Sequence, residues 1–401
     1  MTTPTTLTTT PHPTTPPLQP HELGEALRAA THKLERNLPW LGHTFPDDAT
    51  VQGQYRPRPP QQGEPEGANV GWTTGFCTGM LWLTYEHLAD DRYRTVADTH
   101  VLSFRDRLDR AVDIDHHDLG FLYSLSCVAA HRLTGSTVAR QTALDAADLL
   151  LRRYFPAAGI IQAWGDLHDP AQRGRIIVDC LMNLPLLYWA TEQTGDDRYR
   201  AAAYQHALRS RDVLVRPDHT TFHTFHFDVQ TGVPLTGSTH QGAHDHSCWA
   251  RGQAWSIYGF ALSYAATRDP RFLKTACELA GYFLSHLPAD HVAYWDLSFD
   301  ASSGEPRDSS AAAIAACGLL ELARWLPDGS DRNQAVSTAH SIVASLIRHY
   351  ATTDHDASNA LLLHGVYHRP HGIGVDEANL WGDYFYLEAL TRLTRDWTPY
   401  W

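Results

Sequence analysis

Two aspartates stand where an apolar helical run begins, and carboxyl groups in such places can transfer protons. Asp179 lies in the stretch IIVDCLMN, so hydrophobic side chains flank it on both sides. A carboxyl group in these surroundings loses solvation, which favours its protonated form and suits a general acid near neutral pH. The alternative is that Asp179 caps a helix N-terminus, and the sequence favours neither interpretation. Asp118, in HHDLGF, directly precedes a helical run, so capping is the favoured interpretation there.

A second group of residues lies in the segment SCWARGQAWSIYG, which holds Trp249, Arg251 and Trp255. A spacing of four places Arg251 and Trp255 on one face of a helix. The planar guanidinium group of an arginine there could bind a carboxylate through two parallel hydrogen bonds. An arginine stacked on a core tryptophan, with no ligand, explains the same residues equally well. The pattern alone does not decide between an anion site and core packing.

Further polar and aromatic residues are expected near these groups, namely Trp72, His117, His223 and Gln241. Two carboxylates, one arginine and several tryptophans are typical of a sugar-binding site. The histidines at positions 219, 223, 226, 240, 244 and 246 raise the question of a metal, but their spacing matches no compact ligand motif. We therefore predict that no metal is bound and that this loop holds solvated imidazoles.

The elements that must position these residues are helices. The sequence predicts about twelve helical segments, with apolar residues three or four positions apart and Gly, Pro and Asp at the turns. They lie near 21–36, 73–88, 92–110, 119–134, 137–154, 178–194, 198–214, 250–267, 270–287, 309–325, 332–349 and 380–395. Several odd-numbered segments begin alike, with DDRYR from Asp90, DDRYR from Asp196 and DPRF from Asp269. The even-numbered segments are apolar nearly all round, which indicates helices that are buried on every side.

Six helical hairpins with polar outer and apolar inner members predict an all-α fold, the closed (α/α)6 barrel or toroid. All inner helices of such a ring run in the same direction. Their N-terminal ends, near residues 72, 118, 178, 250, 309 and 380, would meet at one mouth, where we expect the active site. The longer connections 37–71, 155–177, 215–249 and 288–308 are expected to wall that mouth with short strands and binding loops.

The amino-acid composition restricts which partners the protein can bind and where in the cell it is expected. A formal net charge of −13 over 401 residues, without a basic run, argues against nucleic acid. No apolar run approaches the roughly 18 residues of a membrane span. Residues 1–20 are rich in Thr and Pro and lack the apolar region of a signal peptide, so we predict a disordered tail followed by one catalytic domain at 21–401. Six widely spaced cysteines indicate buried, reduced thiols. Without a recognisable signal peptide or membrane span we expect a cytoplasmic protein, a monomer or a small homo-oligomer.

Seven motifs, in order along the chain, resemble those of the unsaturated glucuronyl hydrolases, glycoside hydrolase family 88. They are NVGWTTGF, HHDLGF, GIIQAWGD, IIVDCLMN, SCWARGQAWSIYG, SSAAAIAACGL and VDEANLWGDYFYLEAL. The resemblance runs from about residue 30 to the end of the sequence. It implies an (α/α)6 barrel without metal or organic cofactor. It also implies removal of a 4,5-unsaturated uronic acid from the end of a short oligosaccharide: C4 is protonated, water adds at C5, and the resulting hemiketal collapses.

The resemblance implies roles for individual residues. Asp179 matches the family's catalytic acid/base, and Asp118 matches the second essential aspartate, which holds the unsaturated sugar. His223, Gln241 and Arg251 match polar binding residues. The remaining matches to pocket positions are Trp72, His117, Trp164, Trp249 and Trp255.

One stretch departs from the family pattern. Members that act on sulfated glycosaminoglycan fragments carry a Ser-x-x-Ser-x-Lys stretch just before the VDE motif, whereas this chain has HRPHGI at residues 368–373. The missing serines and lysine argue against sulfated chondroitin or heparin fragments, although Arg369 or the histidines could contact an anion instead. Unsulfated hyaluronan, chondroitin, gellan or plant-type fragments are compatible with the sequence.

Three other functions are left open by the residues. An unsaturated rhamnogalacturonyl hydrolase shares the barrel and the reaction but acts on pectin fragments. A sugar 2-epimerase also uses an α/α toroid, and it would leave the double bond of an unsaturated substrate intact. A non-catalytic carbohydrate-binding toroid would bind without turnover, and the presence of both aspartates argues against it.

Overall fold

Helices alternate along the chain between an outer and an inner ring. The computed structural model describes residues 16–353 and 357–401, so most of the predicted tail lies outside the described residues. The outer helices are α1 (Pro20–Leu41), α3 (Asp91–Asp109), α5 (Thr137–Arg152), α7 (Asp197–Leu214), α9 (Pro270–Ser285) and α11 (Ser330–Ser345). The inner helices are α2 (Thr74–Leu88), α4 (Leu119–Tyr123, continued by a π-turn at Ser124–Val128 and by Ala129–Thr134), α6 (Pro185–Thr194), α8 (Ala250–Thr267), α10 (Ser309–Trp325) and α12 (Leu380–Thr394).

The repeated sequence found at Asp90, Asp196 and Asp269 begins the outer helices α3, α7 and α9. Each aspartate is the N-cap, and its side chain accepts a 2.9 Å hydrogen bond from the backbone N–H two residues further on. The arginine at that second position also forms an ion pair with the cap, at 2.6 Å in each helix. An N-cap satisfies an N–H group that the helix itself leaves unpaired, so the repeat fixes where these outer helices begin.

The inner helices form a closed ring in which each one contacts the next and α12 contacts α2. Their surfaces are buried nearly all round, and in α8 every residue from Ala250 to Ser263 is buried. The chain beyond α12 turns back and packs Trp401 parallel to Phe385, with ring centroids 5.8 Å apart. The predicted all-α (α/α)6 barrel is confirmed.

The segment predicted as one helix over 178–194 is divided in the structure. Val178–Met182 form a 3-10 turn, and α6 begins at Pro185. Proline lacks an N–H group and has a fixed φ, so it is favoured in the first turn of a helix and disfavoured inside one. As a result, Asp179 lies in a tight turn ahead of the helix. Helix α1 also extends to Leu41, beyond the predicted end at 36.

Three small antiparallel sheets are found in the described parts of the chain, and two of them contribute to the mouth of the barrel. The strands are β1 (Tyr154–Phe155), β2 (Ile160–Ile161), β3 (Arg175–Ile177), β4 (Thr224–Phe227), β5 (Pro234–Ser238), β6 (Gly365–His368) and β7 (Ile373–Glu377). They pair as β1–β2, β3–β4–β5 and β6–β7. Short strands in 155–177 and 215–249 are thus confirmed, whereas 37–71 and 288–308, both fully described, form only isolated bridges. The β6–β7 hairpin was not among the predicted walls, and its turn places Gly372 at a φ of +68°, where glycine is favoured.

Most of the buried apolar side chains, from Leu23 to Trp401, form one cluster. All six cysteines are buried and unpaired, as predicted. In the part of the chain that the structure describes, no helix combines the length and the apolar character that crossing a membrane requires. The division into a tail and one catalytic domain at 21–401 stays a prediction.

Candidate active site

A cavity of about 220 Å³ lies at the N-terminal ends of the inner helices. It is lined by Trp72, Asp118, Trp164, Ile177, Asp179, His223, His240, Gln241, Tyr367 and His368. The structure therefore brings together six of the ten predicted site residues at the expected mouth. The four that lie outside the lining are His117, Trp249, Arg251 and Trp255.

Asp179 is held in the 3-10 turn with its carboxyl group in the cavity wall. Its Oδ1 atom is buried and receives no hydrogen bond. Burial, and then the negative charge of Asp118, raises the pKa of Asp179 to about 7, although the nearby Arg251 opposes this shift. The turn begins after Ile177 and has no side-chain cap, so the capping interpretation of Asp179 is wrong. A buried carboxyl group with one unpaired oxygen and a pKa near neutral is suited to donate a proton to a bound molecule.

Asp118 lies just ahead of α4 and also makes no capping hydrogen bond. His116 Nδ1 lies 3.4 Å from its Oδ2 atom, and His117 Nε2 lies 3.3 Å from its Oδ1 atom. Burial by itself would raise the pKa of Asp118, but His117, His116 and the Asn183 amide together hold the pKa below its ordinary value. Asp118 thus occupies the N-cap position of α4, but its side chain does not cap the helix, so the capping role that the sequence favours is wrong. The pKa values of the two aspartates in this cavity are therefore shifted in opposite directions.

Asn183 joins the two segments that carry these aspartates. Its Oδ1 atom accepts a 2.7 Å hydrogen bond from the Phe121 N–H group, and its Nδ2 atom donates to the Asp179 carbonyl at 3.3 Å. Gly120 lies so close that a Cβ atom there would come within 2.3 Å of Asn183 Cα. The hydrogen bonds of the buried Asn183 amide therefore hold the start of α4 against the 3-10 turn, and the absence of a side chain at Gly120 allows this close approach.

His223 presents an uncharged donor to the cavity. Its Nδ1 atom accepts hydrogen bonds from the backbone N–H groups of His240 and Gln241, both at 3.1 Å. A ring nitrogen that accepts carries no proton, so the proton of the neutral imidazole is on Nε2. That atom is buried without a hydrogen-bond partner, and burial lowers the pKa of His223 well below its ordinary value. The ring of Trp249 lies behind it at 4.5 Å and fixes its orientation.

Arg251 is buried behind the cavity lining. Its Nη1 atom donates to Asp308 Oδ2 at 3.0 Å and to the Val366 carbonyl, and its Nη2 atom donates to the Tyr367 carbonyl at 2.7 Å. The guanidinium group also lies 4.5 Å from the ring of Trp249. These contacts correspond to the stacked arrangement that the sequence left open, and they tie strand β6 to α8. Direct contact of Arg251 with a substrate carboxylate stays a prediction.

Aromatic side chains form two walls of the cavity. Trp72 stacks on Trp381 with ring centroids 5.0 Å apart, and its Nε1–H group donates to the Tyr367 hydroxyl at 3.0 Å. Trp164, on the loop after β2, carries the Arg175 guanidinium over its ring at 5.0 Å. Rings fixed in this way offer flat apolar surfaces against which a sugar can pack.

His117 and Trp255 are buried beneath the lining. The His117 backbone N–H donates to the Ala163 carbonyl at 2.8 Å, which anchors the turn before α4. Trp255 packs on Phe121 with ring centroids 5.2 Å apart and is fully buried. The resemblance implies pocket positions for both residues; neither lines the cavity, and their role toward a bound sugar stays a prediction.

Sequence reasoning missed Tyr367 as a lining residue and did not place His240 or His368 in the site. A signal was present: GVYHRPHGIGVDE has two short β-prone runs with a Pro and Gly turn between them, which is typical of a hairpin. Among the six histidines of the loop at 219–246, only His223 and His240 line the cavity. In the described ranges, no three His, Cys, Asp or Glu side chains are grouped so that they could hold a metal ion.

Comparison with known proteins gives a consistent set of similarities. The model of Glycosyl Hydrolase Family 88 matches residues 50–323. An unsaturated chondroitin disaccharide hydrolase of Streptococcus pneumoniae is 44% identical over 96% of this chain and 95% of its own length. An unsaturated glucuronyl hydrolase of Bacillus sp. (strain GL1) is 47% identical over 91% of this chain and 95% of its own length. The crystal structure of an unsaturated glucuronyl hydrolase from Streptococcus agalactiae superposes with a TM-score of 0.92 at 44% identity, covering 96% of this chain and 95% of that one.

Proposed function

The chain belongs to glycoside hydrolase family 88, and we propose that it removes a 4,5-unsaturated uronic acid from the non-reducing end of short oligosaccharides. One observation carries the proposal: two aspartates share a cavity, and their surroundings shift their pKa values in opposite directions. The pKa of Asp179 is about 7, whereas the pKa of Asp118 is below its ordinary value. One carboxyl group can therefore donate a proton while the other is an anion.

The proposed reaction is the hydration of a vinyl ether. The Asp179 carboxyl group gives its proton to C4 of the C4=C5 bond, and positive charge develops on C5 and the ring oxygen. The carboxylate left on Asp179 then takes a proton from water, whose oxygen bonds to C5. The hemiketal formed in this way opens to a ketone at C5, and the hemiacetal left at C1 releases the second sugar. One water molecule is consumed, Asp179 regains its proton, and no pair of carboxylates flanking C1 is needed.

The other residues of the site hold the sugar and support the charges. Asp118, as an anion, accepts hydrogen bonds from sugar hydroxyl groups, and the neutral His223 donates one from Nε2. Arg251 favours the carboxylate of Asp179 after proton transfer, because its positive charge lowers the pKa of that group. Trp72 and Trp164 pack against the sugar. Gln241, tied through its Nε2 atom to the Tyr367 carbonyl at 2.9 Å, completes the wall.

We also propose a cytoplasmic location and a monomeric or small homo-oligomeric state. Six free, buried cysteines support a reducing compartment, because thiols of this kind persist where disulfides do not form. Cell fractionation and the mass of the purified protein in solution test these two points.

The function is tested with unsaturated disaccharides, whose conjugated alkene absorbs ultraviolet light. We expect the absorbance to fall on incubation with the purified protein, with release of one saturated sugar for each alkene lost. The matched control is the saturated disaccharide, which should be left intact. An epimerase would leave the absorbance unchanged while altering the sugar, and a binding protein would leave both unchanged. Either result would contradict the proposal.

A further inference from the structure

Strand β3 runs from the protein surface to the turn that holds Asp179, and its outer end carries Arg175. The strand ends at Ile177, which lines the cavity, and the 3-10 turn follows directly. Side chains two positions apart on a strand lie on one face of the sheet, about 7 Å from each other. Arg175 is therefore on the same face as Ile177, one step further from Asp179. It is half-buried, whereas Ile177 is buried.

The neighbouring strands continue this face of the sheet. In the register of β3 and β4, Ile177 is opposite Thr224, and Arg175 is opposite His226. The hydroxyl groups of Thr224 and of Ser238 on β5 are 2.6 Å apart. Burial, and then the charge of Arg175, lowers the pKa of His226, which agrees with the two side chains sharing one face. A polar surface thus extends outward from the cavity along the sheet.

The Arg175 guanidinium group is held at the rim of the cavity without a counter-ion. It lies over the ring of Trp164, 5.0 Å from the centroid, and Trp164 lines the cavity. In the described parts of the chain, no acceptor forms a hydrogen bond or an ion pair with this group. A guanidinium group that stacks on a ring keeps its N–H groups available for two parallel hydrogen bonds to an anion.

Two other arginines near the cavity are already paired. Arg251 forms an ion pair with Asp308, and Arg369 forms one with Glu305, both at 3.0 Å. The chain as a whole has a formal net charge of −13, so attraction of an anion depends on local positive charge. An anionic group that passes over the rim would therefore meet an unpaired cation at Arg175.

The order of the residues along β3 determines which sugar reaches Arg175. Under the proposed function the unsaturated sugar lies at Asp118 and Asp179. A second sugar would then extend over Ile177 and the Trp164 ring, and a third would reach the level of Arg175. In a polymer that alternates a uronic acid with an uncharged sugar, the third sugar is again a uronic acid.

We propose that Arg175, supported by Trp164 and His226, binds the carboxylate of a uronic acid at the third sugar of longer substrates. The inference rests on the proposed function and adds a substrate class to the same site, namely unsaturated tetrasaccharides of alternating polymers that contain uronic acid. Arg175 lies away from the reacting atoms, so its contact is the same in the ground state and in the transition state. Such a contact lowers KM and leaves kcat unchanged.

The test compares the unsaturated tetrasaccharide and the unsaturated disaccharide of unsulfated hyaluronan. The measured quantity is the ratio of kcat/KM for the tetrasaccharide over the disaccharide, in the parent and in Arg175→Gln. Glutamine keeps a planar polar group without the charge. We expect the ratio to fall about three- to tenfold, through a raised KM for the tetrasaccharide. A disturbance of Trp164 or of the fold would act on both substrates and cancel in the ratio.

Three controls isolate the charge of Arg175. Arg200→Gln removes an exposed arginine of α7, at the end of the barrel remote from the mouth, and should leave the ratio as in the parent. An unsaturated tetrasaccharide whose other three sugars are uncharged should show no such fall in Arg175→Gln. In the parent, raising the salt concentration from about 0.05 to about 0.5 M should lower the hyaluronan ratio at least about twofold, a measurement that does not depend on the folding of a variant.

An unchanged ratio in Arg175→Gln, an equal fall in Arg200→Gln or with the uncharged tetrasaccharide, or a ratio in the parent that does not respond to salt would overturn the assignment. Turnover of the disaccharide without turnover of the tetrasaccharide would overturn it as well. Failure to process either substrate would contradict the proposed function itself, so the two failures are distinguishable.

Discussion

The carboxyl groups of Asp179 and Asp118 line one cavity, but different neighbours surround them. Burial among apolar residues, and then the charge of Asp118, raises the pKa of Asp179 to about 7, whereas His117, His116 and Asn183 hold the pKa of Asp118 below its ordinary value. The apolar flanks of Asp179 are visible in its sequence, which is why its raised pKa could be predicted. The state of Asp118 could not, because it depends on how the turn before α4 directs two histidines and on an asparagine 65 positions away.

Changing Asp179 or Asp118 to asparagine should affect turnover and substrate binding in different ways. Asp179→Asn removes the proton donor with little change of shape, so kcat should fall about 10²- to 10⁴-fold while substrate still binds. Asp118→Asn should weaken binding and turnover together. The rate of alkene loss and the affinity for substrate, measured on both variants, distinguish these two patterns. Turnover of Asp179→Asn near the parent rate, in a protein of unchanged melting temperature, would refute the mechanism.

The pH dependence of the reaction should follow Asp179. Only its protonated form donates, and its pKa is about 7, so kcat/KM should decline about tenfold per unit above that pH. In Asp118→Asn the residual activity should decline from a lower pH, because the charge of Asp118 is one of the causes that raise the pKa of Asp179. Rate profiles of both proteins between pH 5 and 9 test the sign. If the alkaline decline begins at the same pH in Asp118→Asn as in the parent protein, the charge of Asp118 does not raise the pKa of Asp179.

At the scale of elements, the sequence predicted the helices far better than what lies between them. Twelve segments were recovered because helical periodicity and the aspartate caps are local signals. The 3-10 turn before α6 was missed although Pro185 marked it, and the β6–β7 hairpin was missed although Gly372 marked its turn. The role of Arg251 was left undecided because its partners, Asp308 and the carbonyls of β6, are 57 or more positions away. Long-range contacts of this kind leave no local pattern.

The close approach of α4 to the 3-10 turn gives a prediction about Gly120. In Gly120→Ala the new Cβ would lie 2.3 Å from Asn183 Cα and 2.5 Å from its carbonyl oxygen, so the two segments must separate. We expect a loss of roughly 2 kcal/mol or more of stability and most of the activity. Gly281→Ala in α9 is the matched control, because nothing lies within 4 Å of its Cβ position. That variant should gain about 0.5–1 kcal/mol, and equal behaviour of the two would contradict the packing argument.

Arg251 should affect both stability and substrate binding, because it connects α8 to strand β6 and to Asp308. Arg251→Ala leaves Asp308 buried without its ion-pair partner, and such a loss typically costs about 3–5 kcal/mol of stability. Arg251→Lys keeps the charge beside Asp308 but loses the forked contacts to β6, so it should fold and show a raised KM. Melting curves and saturation kinetics on both variants provide the check. An unchanged KM in Arg251→Lys would exclude a role of β6 in binding.

At the scale of the molecule, the buried acid of the site should make stability depend on pH. The pKa of Asp179 is about 7 in the folded protein against an ordinary value of 3.8, so the unfolded chain releases this proton first. The contribution is fully present below about pH 4 and is lost as pH rises through 7. Asp179→Asn removes this dependence, so its Tm should exceed that of the parent by more at pH 8 than at pH 5, by ~1–3 °C. Asp383, whose pKa is also about 7, is common to both proteins and cancels.

The contact between α2 and α12, which closes the inner ring, has a consequence for how the protein folds. The two helices begin at Thr74 and Leu380, roughly 300 positions apart. In an open solenoid each repeat buries its apolar surface against the next repeat in the sequence. Here the apolar surface of the inner helices is fully buried only when the first and the last inner helix come into contact. Contacts of such long sequence separation form slowly, and hydrophobic surface is exposed meanwhile. Refolding from denaturant should therefore be slow and should lose yield to aggregation as protein concentration rises. A newly synthesised chain exposes the same hydrophobic surface until the ring closes. Chaperones that bind apolar helices should therefore raise the yield of closed barrels.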